Sequence, residues 1–169
     1  IPALITVRTQ SQRLKEKCLL SFGNCKVIDH IIERSMHNSI FPVICTTSEK
    51  SDDILCQIAQ KNNIPFFRGS TINKLDRWLK CAEKFGFHSF TTIDADDPFF
   101  DGNLIHQSMD LLGKGYDVVC PTKSSSSGNA SVGYSLTKNI VERALRDINF
   151  EVIGIFAIFF LPSLKYFFP

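Results

Sequence analysis

Ala3-Leu4-Ile5-Thr6-Val7 runs straight into Arg8-Thr9-Gln10-Ser11-Gln12-Arg13-Leu14-Lys15-Glu16-Lys17. An apolar, partly β-branched run of this length reads as a buried strand, and its abrupt end in charge reads as a polar loop at the strand's C-terminal end. In open parallel sheets, ligands bind in the crevice outside the carboxyl ends of the strands. Residues 8–17 hold four cations, Arg8, Arg13, Lys15 and Lys17. At such a place they predict a polyanionic ligand such as a triphosphate, against the plainer reading of a solvated basic loop.

Outward from this stretch, apolar runs and helical patterns alternate. After a turn signal at Gly23-Asn24, residues 27–38 place Val27, Ile28, Ile31, Ile32 and Ser35 at helical spacing. Residues 42–46 read as a second buried strand. Ser51 then reads as the N-cap of a helix reaching Asn62, with Asp52 and Asp53 in a first turn that favours acidic side chains. Residues 64–67 form a third strand, shortened by Pro65, which delivers Arg68-Gly69-Ser70 to the same sheet edge before a helix over 75–85. There Gly69 permits a close backbone approach, Ser70 offers a hydroxyl and Arg68 adds a further cation. Asp76 and Arg77, just inside that helix, fit either a substrate contact or an ordinary first-turn charge pair.

The strand at 89–93 runs into Asp94-Ala95-Asp96-Asp97-Pro98. Three carboxylates packed at a strand end repel one another unless a cation or abundant water is present. Magnesium needs only one or two carboxylates plus phosphate oxygens, and Asp96 is the favoured ligand. A helix over 103–112, a strand over 116–120, a serine-rich loop over 123–128, a strand over 131–136 and a helix over 138–147 complete the pattern. Strands alternating with helices predict a Rossmann-like three-layer α/β/α sandwich with a mainly parallel sheet.

The chain has 169 residues, 44% hydrophobic and 21% charged, enough for one domain with a proper core. That domain is expected over 1–150, with 151–169 an apolar C-terminal tail. The formal net charge is only +2 and the cations are scattered, so nucleic acid and acidic membrane surfaces are not suggested as partners. Six cysteines without a Cys-x-x-Cys pair, and no visible targeting segment, fit reduced thiols in a cytoplasmic protein. His30, His37, His88 and His106 show no metal-ligand spacing. The apolar run at 152–161 falls short of the about 20 residues that a bilayer span requires.

Two motifs carry a resemblance. Arg8, Ser11, Arg13, Leu14 and Lys17 follow the order Arg-x-x-Ser-x-Arg-Leu-x-x-Lys, which resembles the first-loop pattern of the cytidylyltransferases that make CMP-activated sugars, including the CMP-Kdo and CMP-sialic acid synthetases. Arg68-Gly69-Ser70 followed by Leu75-Asp76-Arg77-Trp78 is similar to an element of the spore-coat polysaccharide SpsF-type branch of that superfamily. Asp96 matches the magnesium-binding Asp of the family's Gly-Asp-Glu-Pro or Gly-Asp-Cys-Pro, with Ala95 in place of its glycine. One further departure lies in the first loop, where the family carries Pro-Gly and this chain has Lys15-Glu16. The resemblance extends to about Asp147.

The resemblance implies a nucleotide-diphospho-sugar transferase type of fold. It also implies cytidylyl transfer from CTP to a sugar or sugar acid, with release of pyrophosphate, Mg2+ as cofactor, a role in surface polysaccharide synthesis and a homodimer. Arg8, Ser11, Arg13, Lys17, Arg68, Gly69 and Ser70 are the expected nucleotide contacts. Arg13, Lys17 and Asp96 are the expected catalytic set, and Asp96 with Asp94 the expected metal ligands. Two rivals stand beside this. Asp94-Ala95-Asp96 also matches the short Asp-x-Asp motif of GT-A glycosyltransferases. A truncated or frameshifted non-catalytic relative is suggested by Lys15-Glu16, Asp94-Ala95 and the apolar tail.

Overall fold

The computed structural model describes residues 1–10, 14–120, 133–147 and 166–167. Its centre is β1 (Pro2–Thr6), paired in parallel with β4 (Phe41–Thr47) on one side and β6 (Ser89–Asp94) on the other. Beyond β4 lies β5 (Phe66–Gly69), also parallel. Beyond β6, β8 (Ser135–Thr137) runs antiparallel between β6 and β7 (Val118–Val119), and β9 (Tyr166–Phe167) pairs in parallel with β7. The order is β5-β4-β1-β6-β8-β7-β9, a mainly parallel sheet as the alternation predicts. A separate antiparallel pair, β2 (Ser21–Phe22) with β3 (Cys25–Lys26), folds around Gly23 at φ +61°, where the sequence pattern indicates only a turn.

Both faces of the sheet are covered, which is why the strands read as continuous apolar runs. Successive side chains still alternate. Ala3 and Ile5 of β1 and Ile44 of β4 join a core with α1 (Val27–His37), α2 (Asp53–Lys61) and α4 (Gly102–Gly113). Leu4, Val43 and Cys45 join a second core with α3 (Lys74–Phe85) and α5 (Lys138–Asp147), built around the fully buried Trp78 and Phe90. Asn73 and Asp101 cap α3 and α4 with side-chain oxygens. Among the described residues, no helix is long and apolar enough to cross a membrane.

Three strand limits differ from the sequence expectation. Pro65 has no amide for the ladder, so β5 starts at Phe66 and continues to Gly69, while the Pro65 carbonyl still accepts from Ile44 at 3.0 Å. The strand expected at 116–120 contracts to two residues. The one expected at 131–136 is Ser135–Thr137, residues 131 and 132 lying outside the described residues. Just before it, a Cβ on Gly133 would strike the carbonyl of Thr92, whose amide and hydroxyl pair with Tyr134 at 2.8 and 2.9 Å.

Ser51 is not an N-cap. Residues Lys50–Asp52 form a 3-10 turn, and α2 begins at Asp53 without a side-chain cap bond. The reason is Asp52, which is 1% exposed and turns inward. Its carboxylate accepts five hydrogen bonds: from the Thr9 amide at 2.8 Å and hydroxyl at 2.7 Å, the Thr46 hydroxyl at 2.9 Å, and the Thr47 amide and hydroxyl. Burial alone would push this carboxyl up. The bonds from Thr47, Thr9 and Thr46 outweigh that and hold it below its ordinary value of 3.8.

The loop after β1 is therefore tied at Thr9. It closes again where the Glu16 amide donates to the Thr9 carbonyl at 2.9 Å. Glu16 makes that closure in the left-handed region, at φ +55°. This is the position at which the cytidylyltransferases resembled by this loop carry glycine.

Two outcomes are expected. A left-handed conformation costs a residue with a Cβ roughly 1–2 kcal/mol, partly offset by the extra unfolded-state freedom of glycine, so Glu16→Gly should raise stability by up to about 1 kcal/mol. Urea unfolding checks this; a lower midpoint would contradict it. Asp52 has a folded-state pKa below its unfolded one, so its contribution to stability is complete above about pH 5 and is lost as pH falls through the folded value. Urea midpoints between about pH 6 and pH 3 should fall more steeply for the wild type than for Asp52→Asn.

Candidate active site

Parallel pairing puts the C-terminal ends of β1, β4, β5 and β6 on one edge of the sheet, and the β1–β6 register sets Thr6 opposite Asp94. Chain leaving β1 and β6 at this edge therefore meets the start of α3, which follows β5. Between them lies a cavity of about 620 Å³, in the range of small-molecule sites. Its charged lining is four cations, Arg8, Lys17, Lys74 and Arg77, and two carboxylates, Asp94 and Asp96.

The charges are distributed in pairs. Lys17, just after the Glu16 closure, makes an ion pair with Asp96, and both side chains remain partly exposed. Lys74 sits 3.4 Å from Asp94 and lies over the Trp78 ring, 4.9 Å from its centre. The Trp78 indole is itself fixed by donating to the Thr6 hydroxyl at 2.8 Å. Arg77 is 4% exposed, its Nη1 donates to the Ser70 carbonyl at 2.5 Å, and its Nε has no hydrogen-bond partner among the described residues. Four positive groups around two negative ones leave the cavity electropositive, a field that attracts a polyanion.

Cys18 also lines the cavity, and burial pushes its thiol up to about 11, so it stays protonated at neutral pH and is no nucleophile. All six cysteines are free thiols.

Of the residues expected from sequence, Arg8, Lys17, Asp94 and Asp96 come together here. Ser11 and Arg13 lie outside the described residues. Arg68, Gly69 and Ser70 do not line the cavity and are engaged within the fold. The Arg68 guanidinium bonds the carbonyls of Thr47, Ser48 and Glu49 and the Asp53 carboxylate, so its charge and donors are already matched. Gly69 is so closely packed that a Cβ would stand 2.7 Å from the Phe67 ring of its own strand and 3.0 Å from Arg77 Cγ of α3. The Ser70 hydroxyl accepts from the Asn73 amide at 3.0 Å, shaping the entry to α3. Asp76 pairs with Lys80 one turn on, the ordinary helix-surface arrangement. Asp97 accepts from the Phe99 amide at 3.3 Å in the turn around Pro98.

Sequence reasoning missed Lys74, Thr71 and Ile72 as cavity residues. Their signal is positional: they follow directly on β5, whose parallel pairing delivers the first turn of α3 to the same edge. Ile72 is 96% exposed at the mouth.

Comparison with known proteins bears on the family and the fold. Over 108 residues, 60% of this chain, it is 30% identical to the spore coat polysaccharide biosynthesis protein SpsF of Bacillus subtilis, and the match spans 45% of that protein's length. A cytidylyltransferase from Leptospira borgpetersenii superposes with a TM-score of 0.84 at 21% identity, over 99% of this chain and 74% of that one. A CMP:2-keto-3-deoxy-manno-octonic acid synthetase in complex with CTP superposes with a TM-score of 0.67 at 11% identity, over 88% of this chain and 78% of that one. At these identities the two structures establish the likeness of fold. The model of the Cytidylyltransferase family matches residues 2–149, almost the whole length over which strands and helices alternate, and the chain belongs to that family.

Proposed function

We propose that the cavity binds CTP and that the protein transfers CMP to a hydroxyl of a sugar or sugar acid, releasing pyrophosphate. The observation that carries this reading is the convergence of Arg8, Lys17 and Lys74 on the two carboxylates of the β6 end. A triphosphate needs a cationic cradle, and the family supplies the expectation of CTP. The acceptor class is suggested by the sugar-acid synthetase that shares the fold and by the polysaccharide role printed for the Bacillus relative.

Asp94 and Asp96 fit a divalent ion shared with phosphate oxygens. Their side chains are 58% and 43% exposed, lie in one cavity, and among the described residues form ion pairs with lysines. When bound, magnesium would neutralise charge on the phosphates and on the leaving pyrophosphate. The remaining work falls to the chain's own side chains. Arg8 and Lys17 hold the triphosphate, with Ser11 and Arg13 completing the loop. Lys17 exchanges the Asp96 carboxylate for a phosphate oxygen as the nucleotide enters. The acceptor hydroxyl attacks the α-phosphorus in line with departing pyrophosphate, and positioning with charge neutralisation supplies the catalysis.

The Asp94-Ala95-Asp96 pair also suits a nucleotide-sugar transferase, since both carboxylates do face one cavity. The Arg8 and Lys17 side of the cavity favours the triphosphate. Pyrophosphate release separates the two readings. With CTP, magnesium and a panel of sugar acids, the wild type should release pyrophosphate in step with acceptor consumed. Lys17→Ala and Asp96→Ala should each lower kcat/KM by about 100-fold or more, the scale of removing one charge-stabilising group. No pyrophosphate with any acceptor, or release of a nucleoside diphosphate from a nucleotide-sugar donor in its place, would overturn the proposal.

A further inference from the structure

Asp52 lies outside the cavity, yet the charged loop is built on it. Thr9 is 1% exposed and sits next to Arg8. Its amide and hydroxyl both donate to Asp52 Oδ1, and its carbonyl accepts the Glu16 amide at 2.9 Å. Glu16 in turn accepts through its carbonyl from Leu19 at 2.7 Å, starting the 3-10 turn that opens with Lys17. Lys17 then reaches Asp96. Hydrogen bonds thus lead from a carboxylate on the β4–α2 connection to Thr9 and Glu16, the chain neighbours of Arg8 and Lys17, the two described loop cations of the cavity. On its other oxygen the same carboxylate takes Thr46 and Thr47 from the end of β4, which the sheet already fixes.

We propose that Asp52 and Thr9 are the positioning pair for the cationic loop: the buried carboxylate holds Thr9, and Thr9 sets where Arg8 and Lys17 present their charge. The effect on nucleotide rests on the reading of the cavity as a CTP site; the effect on the loop does not. The resembled family carries Pro-Gly at this closure. Here Lys15-Glu16 has no intrinsic preference for the left-handed closure, and the anchored Thr9 carbonyl draws the Glu16 amide into it.

Two valine substitutions separate positioning from simple stability. Thr9→Val and Thr46→Val each remove one hydroxyl donor to the same carboxylate, from the loop side and from the sheet side, at positions 1% and 0% exposed. Similar losses of thermal stability are expected from both. Only Thr9→Val should weaken magnesium–CTP binding by calorimetry, by about tenfold, the usual scale of one lost hydrogen bond to a charged group. Only Thr9→Val should accelerate amide hydrogen exchange in the peptide covering residues 14–20, measured without nucleotide. Thr9→Ser, which keeps the hydroxyl, should restore both.

Equal changes in exchange for the two valine variants, or no change for Thr9→Val, would overturn the positioning role. Should the wild type bind no CTP, the nucleotide reading fails, and the exchange comparison still decides the role of the pair.

Discussion

A negative charge with almost no water around it survives only if the fold supplies donors from several directions at once. Asp52 has them from three threonines, one beyond β1 and two at the end of β4. The bonds span 43 residues of sequence on one side and five or six on the other. The carboxylate therefore fastens the cationic loop after β1 to the paired end of β4. A hydrophobic contact in the same place would hold the two segments together without fixing the direction of the Thr9 carbonyl. Since that carbonyl is what closes the loop at Glu16, direction is the property that matters.

The sheet does the rest by register. With Thr6 opposite Asp94 and Thr47 opposite Gly69, four strand ends open on one edge, and side chains that follow β1, β5 and β6 share a cavity. The two lysine–aspartate pairs across it are partly exposed, so solvent screens them and they contribute little to stability. Weak pairing of this sort suits side chains that must change partners. By contrast, Arg68 is tied by four hydrogen bonds, three of them to carbonyls at the end of β4 and just beyond it, and makes a fixed strut of its charge.

Much of this was legible in the residues. The central strands are apolar on both faces because helices cover both, which gives unbroken runs such as Ala3-Leu4-Ile5, and charge begins where the sheet ends. That pattern locates Arg8, Lys17, Asp94 and Asp96 at one edge without coordinates. Asp52 was not legible, because an acid in the first turn of a helix is ordinarily a solvated cap, and nothing local reveals that Thr9 lies against it. The surroundings of Arg68 are hidden for a related reason: a cation after a strand can face a ligand or the carbonyls of the neighbouring loop, and the choice depends on where Asp53 lies. Lys74 was missed because a lysine in a first helical turn carries no pattern, and only the parallel placement of β5 brings it beside Asp94. The β2–β3 hairpin is too short, at two residues a strand, for alternation to register.

The nucleotide assignment is tested most directly by thermal unfolding of the wild type with magnesium and equal concentrations of CTP, UTP, ATP or GTP. Binding to the folded state alone stabilises it by about 2.7 kcal/mol at a ligand concentration of about 100 Kd, enough to raise Tm by several degrees. A rise that is largest with CTP is the predicted result. No rise with any nucleotide, or the same rise with all four, would contradict a cavity built for cytidine triphosphate.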